Sequence, residues 1–565
     1  MNKRTIAAAA FAALTLAGCG TVQEANGVVD APVEYFGTLE PFASEAVYFI
    51  VTDRFVDGDP ANNFPDQGGV ERGTFDRPIR VADSAPANIG YLGGDFRGVL
   101  DNADYIADMG FTAIWLTPIV DNPDEAFTGG TAPGEGGSND YGKTGYHGYW
   151  GVNFFALDEH LPSANLDYAD LTQRLHNEHG IKTVLDIVCN HGSPSFSMPQ
   201  DQPKYGEIYD AAGELVADHE NLYPDKLEAD NPLHAFYRKE RDLAELSDMD
   251  YDNPDVLDYF VAAHSKWIAQ GASAIRIDTI KHMPHEFWKA FSDRIRAEHP
   301  NLFMFAEAWS FDPELLAQYT YPENGAISVL DFPGREAMVS VFGEQDGPYS
   351  NLLDYLQLQS GIYQSPYELM TFYDNHDMTR IDADQNGFIN ANNWLFTSRG
   401  IPVVYYGSEV GFRAGADQHA GNRDYFGQEN VERAKSHPIH AALSRIAAIR
   451  KSSIALQRGL QFNLDFSQNT AAFYRVYQKG GLNQTALVLL NKGDGTATFE
   501  VTKGLSNGLW RDANSGEVFA IDAELPRIVV AVPAHGVRVM LFDAPINNAV
   551  FIGEMSQLQT GSARR

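Results

Sequence analysis

Three carboxylates in this 565-residue chain sit where a reaction could use them, each at the end of a short apolar run. Asp278 closes the run AIRID (274–278), Glu307 follows Phe305 and Ala306, and Asp377 ends the segment FYDNHD (372–377). A single carboxylate at a strand end is equally well explained by a salt bridge or a helix cap. Three of them form a more demanding set, with Arg276 two residues before Asp278 and Asn-His pairs at Asn190-His191 and Asn375-His376. Such a set suits cleavage of a glycosidic bond with retention. One ionised carboxylate attacks and one proton-bearing carboxyl serves the leaving group, about 5 to 5.5 Å away.

Residues so far apart in sequence need a scaffold that returns them to one place. Short apolar runs at 46–50, 113–116, 183–188, 274–277, 303–306, 329–332, 369–373 and 403–405 alternate with amphipathic stretches such as 255–270 and 286–298. Eight continuous apolar strands separated by helices predict an α/β fold, a (β/α)8 TIM barrel whose functional groups gather at the C-terminal strand ends. The barrel occupies 45–190 and 246–453, interrupted after strand 3 by a Pro-, Asp- and Tyr-rich insertion at 191–245. After the helical stretch 439–450 the pattern changes to alternating strands at 471–477, 486–491, 497–501 and 537–542. These predict a C-terminal antiparallel β-sandwich domain at 454–548, followed by a tail at 549–565.

The formal net charge of −35 disfavours nucleic acid and anionic lipid as partners and favours a neutral substrate. Lys3 and Arg4 precede an apolar run at 6–16 that ends Leu16-Ala17-Gly18-Cys19, a signal peptide with a lipobox over residues 1–19. It resembles bacterial lipoprotein signals, in which the cysteine is acylated, so Cys19 is the expected lipidation site. The lipid would be the only membrane contact. Gly20 after the cysteine points to outer-membrane sorting, and residues 20–44 read as a tether. Cys189 is then left without a disulfide partner and reads as a buried structural thiol.

The segments TVLDIVCNH (183–191), AIRIDTIKH (274–282), FAEAW (305–309) and FYDNHD (372–377), in that order, resemble the signature regions of the α-amylase family, glycoside hydrolase family thirteen. The resemblance covers residues 45–545 and includes 47–63 (VYFIVTDRFVDGDPANN), 145–150 (GYHGYW) and 400–407 (GIPVVYYG). It implies Asp278 as nucleophile, Glu307 as acid/base and Asp377 as the carboxylate that supports the oxocarbenium-like state. Arg276 would keep the nucleophile ionised, whereas Glu307 needs drier surroundings and negative neighbours to hold a proton. His147, His191 and His376 would bind sugar hydroxyls, and Tyr149 would stack under the ring at the cleaved bond. Lys281 and His282 would line the leaving-group side.

Calcium is expected as cofactor at two places. One is the oxygen-rich turn with Asp57, Asp59, Asn62 and Asn63, which resembles a metal loop found in some family members together with Gly93 and Asp95. The other is the site common in the family, from Asn190, Glu245 and the His282 carbonyl, with Glu245 standing where the family usually has Asp. The expected activity is endo-hydrolysis of α-1,4 bonds in starch, glycogen or maltooligosaccharides. Two alternatives stand beside it. One is a transglycosylase of the cyclodextrin glucanotransferase or cyclomaltodextrinase type, and the segment RIDTIKH and a chain ending after one β domain weigh toward hydrolysis. The other is a non-catalytic glucan-binding lipoprotein, which would have no need of a proton-bearing Glu307.

Overall fold

The computed structural model describes residues 33–79, 87–132, 139–413 and 422–561. Cys19 and the signal segment lie outside the described residues. Eight parallel strands form the central sheet: β1 (Val47–Ile50), β2 (Ala113–Leu116), β3 (Lys182–Ile187), β4 (Ala272–Ile277), β5 (Phe303–Ala306), β6 (Ser328–Val329), β7 (Met370–Thr371) and β8 (Ile401–Tyr405). The order is β6-β5-β4-β3-β2-β1-β8-β7. A parallel bridge from Leu330 to Met370 closes it into a barrel, with the Asp331 amide donating to the Met370 carbonyl at 2.9 Å. These strands are almost wholly apolar because side chains on one face fill the barrel and those on the other meet the helices. Inside, Phe49 stacks on Trp115 at 3.8 Å, and Phe305 meets the Trp115 ring edge-on.

The surrounding helices begin where the sequence supplies caps. Asp167 and Asp170 form a capping box for Tyr168–His179, which stops at left-handed Gly180, and Asn253 with Pro254 starts Pro254–Ile268. Strands 6 and 7 are shorter than their apolar runs: β7 covers only Met370–Thr371 of the run 369–373, and Phe332, expected in strand 6, opens the helix Phe332–Phe342 instead. Asp331 caps that helix by accepting from the Gly334 amide, so the chain turns before it can extend β6.

Between β3 and β4 the chain builds a lobe in which His191–Pro194 pairs antiparallel with Leu246–Asp248, beside the hairpin Glu207–Tyr209 and Leu215–Asp218. Its small core joins Met198, Tyr205 and Leu246 to Phe127 and Trp150 from the preceding loops. Past the barrel, a six-stranded antiparallel sheet and the pair Ala497–Val501 and Ile528–Val532 enclose a second core with Tyr474, Leu487, Trp510, Val530 and Met540. The stretch from 549, read from sequence as a tail, contributes the helix Ala549–Gly561, which adds Phe551, Met555 and Leu558 to that core. Arg475 fastens this domain to the barrel, its buried guanidinium donating to the carbonyls of Gly459, Thr397 and Ser398.

The last part of the expected tether also belongs to the body. Tyr35 bridges Gln478, and Phe42 stacks on Phe303 at 4.8 Å, both rings buried. Short extended and 3-10 pieces carry no periodicity, so nothing in the sequence distinguished them from a linker. Phe42→Ala should lower the unfolding free energy by about 3 to 5 kcal/mol in denaturant melts, whereas a free tether would leave the midpoint unchanged.

Candidate active site

β4 and β5 end on the residues immediately before Asp278 and Glu307, and the ladder carries on into both. The Asp278 amide donates to the Ile187 carbonyl and the Glu307 amide to the Ile277 carbonyl, each at 2.9 Å. Thr279 then takes a left-handed conformation, φ +49°, which breaks the strand and turns the chain away after Asp278. Asp377 lies in the loop after β7, where the Asn375 side chain accepts from the amides of Asp377 and Met378 at 3.2 and 2.9 Å.

At the centre is Arg276, fully buried on β4. Its Nη1 lies 2.7 Å from Asp278 and 2.9 Å from Asp186, and its Nη2 lies 2.9 Å from Glu307. A guanidinium is a few ångströms wide, so one cation holds the two expected reacting carboxyls close enough to flank a single glycosidic bond. Asp186, on β3, also accepts from the Tyr149 hydroxyl at 2.8 Å and the Trp115 indole at 3.0 Å. The sequence alone assigns Asp186 no role. Its position five residues before His191, alternating with apolar neighbours, was the available signal.

Three carboxyls share this one cation, and burial raises two of them. Burial pushes Glu307 up to about 8; Arg276 opposes the rise, while Asp377, Asp278 and Asp186 add to it. Burial likewise lifts Asp186 to about 7 against the pull of Arg276. Glu307 is therefore the carboxyl of the cluster raised furthest, as the acid of such a reaction requires.

The aromatic and histidine residues surround this cluster. Tyr149 stacks on His376 at 5.4 Å, and its amide donates to His147 Nδ1 at 3.1 Å. Burial lowers His191 to about 4 and depresses His376 well below its ordinary value, the latter with help from Arg423 and Arg276. Both rings are neutral at pH 7 and suited to hydroxyl hydrogen bonds. Asp377 meets His376 Nε2 at 3.1 Å and Arg423 Nη2 at 2.6 Å, and Arg423 is a second residue that sequence reasoning missed. Lys281 and His282 stand apart from the buried centre. Lys281 donates to the Trp309 carbonyl at 2.9 Å, His282 pairs with Asp242 at 3.1 Å, and the Trp309 ring is partly exposed.

The first expected calcium loop fits a hard cation. Asp95 accepts from the amides of Gly58, Asp59 and Gly98 and from Asn62 Nδ2, so it organises the turn. Asn63 Nδ2 donates to Asp57 Oδ2, and Asp59 caps a short 3-10 turn. Left over are Asp57 Oδ1, Asn62 Oδ1 and Asn63 Oδ1, three buried oxygens without a hydrogen-bond partner among the described residues. At Gly93, φ +87°, a Cβ would meet Asn63 Oδ1 at 2.5 Å and Asp57 Oδ2 at 2.9 Å, so the backbone closes over the same oxygens. The second set has no such character: Glu245 pairs with Arg241 at 3.4 Å, His282 with Asp242, and Asn190 Nδ2 lies 3.4 Å from His191. Two other groupings of ionisable side chains are Asp158-Glu159-His160, in which His160 Nδ1 lies 2.8 Å from Asp158, and Asp121-Asp124-Glu159, whose two aspartates pair with Lys204.

With this geometry in place, comparison with known proteins is informative. The family described as alpha amylase, catalytic domain, matches residues 49–451. A cyclomaltodextrin glucanotransferase of Klebsiella oxytoca is 28% identical over 524 residues, covering 84% of this chain and 74% of its own. An alpha-amylase of Niallia circulans is 29% identical over 507 residues, covering 87% and 88%. The chain spans only 61% of the similar glucanotransferase of Thermoanaerobacterium thermosulfurigenes. Among solved structures, a cyclomaltodextrin glucanotransferase with a three-domain ABC distribution superposes with TM-score 0.72 at 28% identity, over 88% of this chain and 99% of that one. An alpha-amylase from Geobacillus thermoleovorans, complexed with acarbose, gives 0.67 at 25%, over 88% and 98%.

Two predictions follow from the site. Turnover should fall above about pH 8 as Glu307 loses the proton it must deliver, because only the acid form of a group with a raised pKa can act there. The residual turnover of Glu307→Gln should lack that alkaline limb in a pH–rate profile. Separately, calcium at about 100-fold over its Kd should add about 2.7 kcal/mol of stability, read as a rise in Tm after chelator treatment. Asp57→Ala with Asn63→Ala should abolish that response.

Proposed function

We propose, from the premise that the chain belongs to the α-amylase family of glycoside-processing enzymes, that it is a retaining, endo-acting hydrolase of α-1,4-glucosidic bonds in starch, glycogen or maltooligosaccharides. The observation that carries this reading is the single guanidinium of Arg276 shared by Asp278 and Glu307. In the first step an Asp278 oxygen bonds to the anomeric carbon as the glycosidic C–O bond breaks, and the Glu307 proton passes to the departing oxygen. Arg276 keeps the attacking carboxylate charged, and Asp377 with the neutral rings of His191 and His376 holds the hydroxyls of the distorting sugar. In the second step Glu307, now a carboxylate, takes a proton from water. The water oxygen bonds to the same carbon, and the ester to Asp278 breaks. Two inversions restore the α configuration.

Calcium bound by Asp57, Asn62 and Asn63 would supply fixed positive charge that cross-links the loop after β1. Export and lipid anchoring through Cys19, with placement at the outer membrane, complete the proposal and rest on the N-terminal sequence alone.

Transfer is the second reading, favoured by the glucanotransferases among the relatives. It differs only in that a sugar hydroxyl replaces water in the second step. If Lys281 lines the leaving-group side, as the family resemblance implies, it and the partly exposed Trp309 it donates to are the residues that would weigh the two outcomes. Early digestion of soluble starch should destroy iodine staining faster than reducing ends accumulate, and NMR of fresh products should show the α anomer. Initial β-anomer release would overturn the mechanism, and cyclic dextrins as the sole early product would replace hydrolysis with transfer. Asp278→Asn should cut turnover by at least about 10⁴-fold without lowering Tm, as expected when a nucleophile is lost.

A further inference from the structure

The chain at 422–426 crosses from the loop after β7 to the loop after β1, stitched on both sides. Toward the site, Asn422 Nδ2 donates to the carbonyls of Asn375 and Met378, both at 2.6 Å, and Arg423 Nε donates to the His376 carbonyl at 2.9 Å. Toward β1, the fully buried Arg54 donates through Nε to the Arg423 carbonyl at 2.7 Å and accepts from the Phe426 amide at 2.8 Å. The Asp57 amide donates to the Tyr425 hydroxyl at 2.8 Å. From β8, the hydroxyls of Tyr405 and Tyr406 donate to the carbonyls of Asn422 and Asp424 at 3.2 and 2.7 Å respectively. Asn422 and the backbone contacts hold this strap in place. The free end of the Arg423 guanidinium goes further, to Asp377 Oδ1 at 2.6 Å, and also meets the buried Tyr146 hydroxyl.

We propose that Arg423 is a positioning residue for Asp377, gripping one carboxylate oxygen so that the carboxylate plane is set before sugar arrives. This rests on Asp377 being the carboxylate that supports the transition state. An exposed ion pair would mean little. Here the two side chains are only 7% and 15% exposed, and the guanidinium spans the His376 carbonyl and the Asp377 carboxylate at once, which fixes the two consecutive residues relative to each other. A carboxylate that must meet two hydroxyls of a distorting ring gains from being fixed, since misplacement by about 1 Å can cost roughly 100-fold in rate. Arg423 also bears on the neighbouring ring. His376 faces Arg423, Arg276 and Asp377, with Tyr149 stacked on it and Phe49 edge-on. Burial first, then the two arginines, hold it neutral.

The test compares wild type with Arg423→Gln and Arg423→Lys on a maltooligosaccharide. Arg423→Gln should lose about 100-fold in kcat with KM changed less than about threefold, and Arg423→Lys, which keeps a cation near Asp377, should recover about tenfold of that loss. Independently of turnover, the His376 ring signals, assigned by their loss in His376→Gln, should titrate at higher pH in Arg423→Gln than in wild type. A rise in KM at unchanged kcat would make Arg423 a sugar contact and overturn the proposal. Equal losses in both variants, with lowered Tm and unmoved His376 titration, would reduce Arg423 to part of the strap. Absence of wild-type turnover on α-glucans would instead defeat the proposed function, leaving the titration to decide on Arg423.

Discussion

One buried cation sets the terms for the active site. Arg276 has no exposure to solvent and so depends on its carboxylates, while among the described residues Asp186, Asp278 and Glu307 pair with no other cation. Removing Arg276 from such a cluster costs far more than losing one side of an exposed pair, because its carboxyl partners are left buried without their shared cation. One positive charge cannot neutralise three carboxylates, so the cluster favours keeping a proton. Burial and the negative neighbours raise Glu307, the group that must deliver one, to about 8, and Asp186 to about 7.

The barrel makes this arrangement rigid. Parallel strands β3, β4 and β5 bring Asp186, Asp278 and Glu307 to the same end of the sheet, and backbone hydrogen bonds running past the strand ends fix Asp278 and Glu307 before any side chain is considered. Asp377 comes from the other side of the closure, beyond the short strand β7, where the ladder is only two residues long. Its position depends on side chains instead: the Asn375 turn, His376 and Arg423. The contrast explains why the strap at 422–426 carries so many hydrogen bonds.

Much of this was legible in the sequence for a physical reason. A strand buried on both faces is written as an apolar run, and a charged residue ending such a run has few roles, so Asp278 and Glu307 stood out. Asp186 was harder to assign because a carboxylate inside a strand looks like half of an interior salt bridge, which it also is. Arg423 was out of reach: it lies 46 residues beyond Asp377, in an irregular segment whose periodicity says nothing. The boundary at β6 was misread because Phe332 continues the apolar run while Asp331 starts a helix, and capping outweighed hydrophobicity. The packed residues from Tyr35 to Ser44 were likewise invisible, since their order comes from tertiary contacts with Phe303 and Gln478.

The central claim is that Asp278 forms the bond to sugar while Glu307 handles the proton. Trapping tests it most directly. A fluorinated α-maltosyl fluoride is incubated with Glu307→Gln, which slows release of the covalent intermediate, and the digested protein is mapped by mass spectrometry. One glycosyl group should appear on the peptide containing Asp278 and disappear in Asp278→Asn. Label on Glu307 in the wild-type protein, or on the Asp377 peptide in either, would contradict the assignment of roles around Arg276.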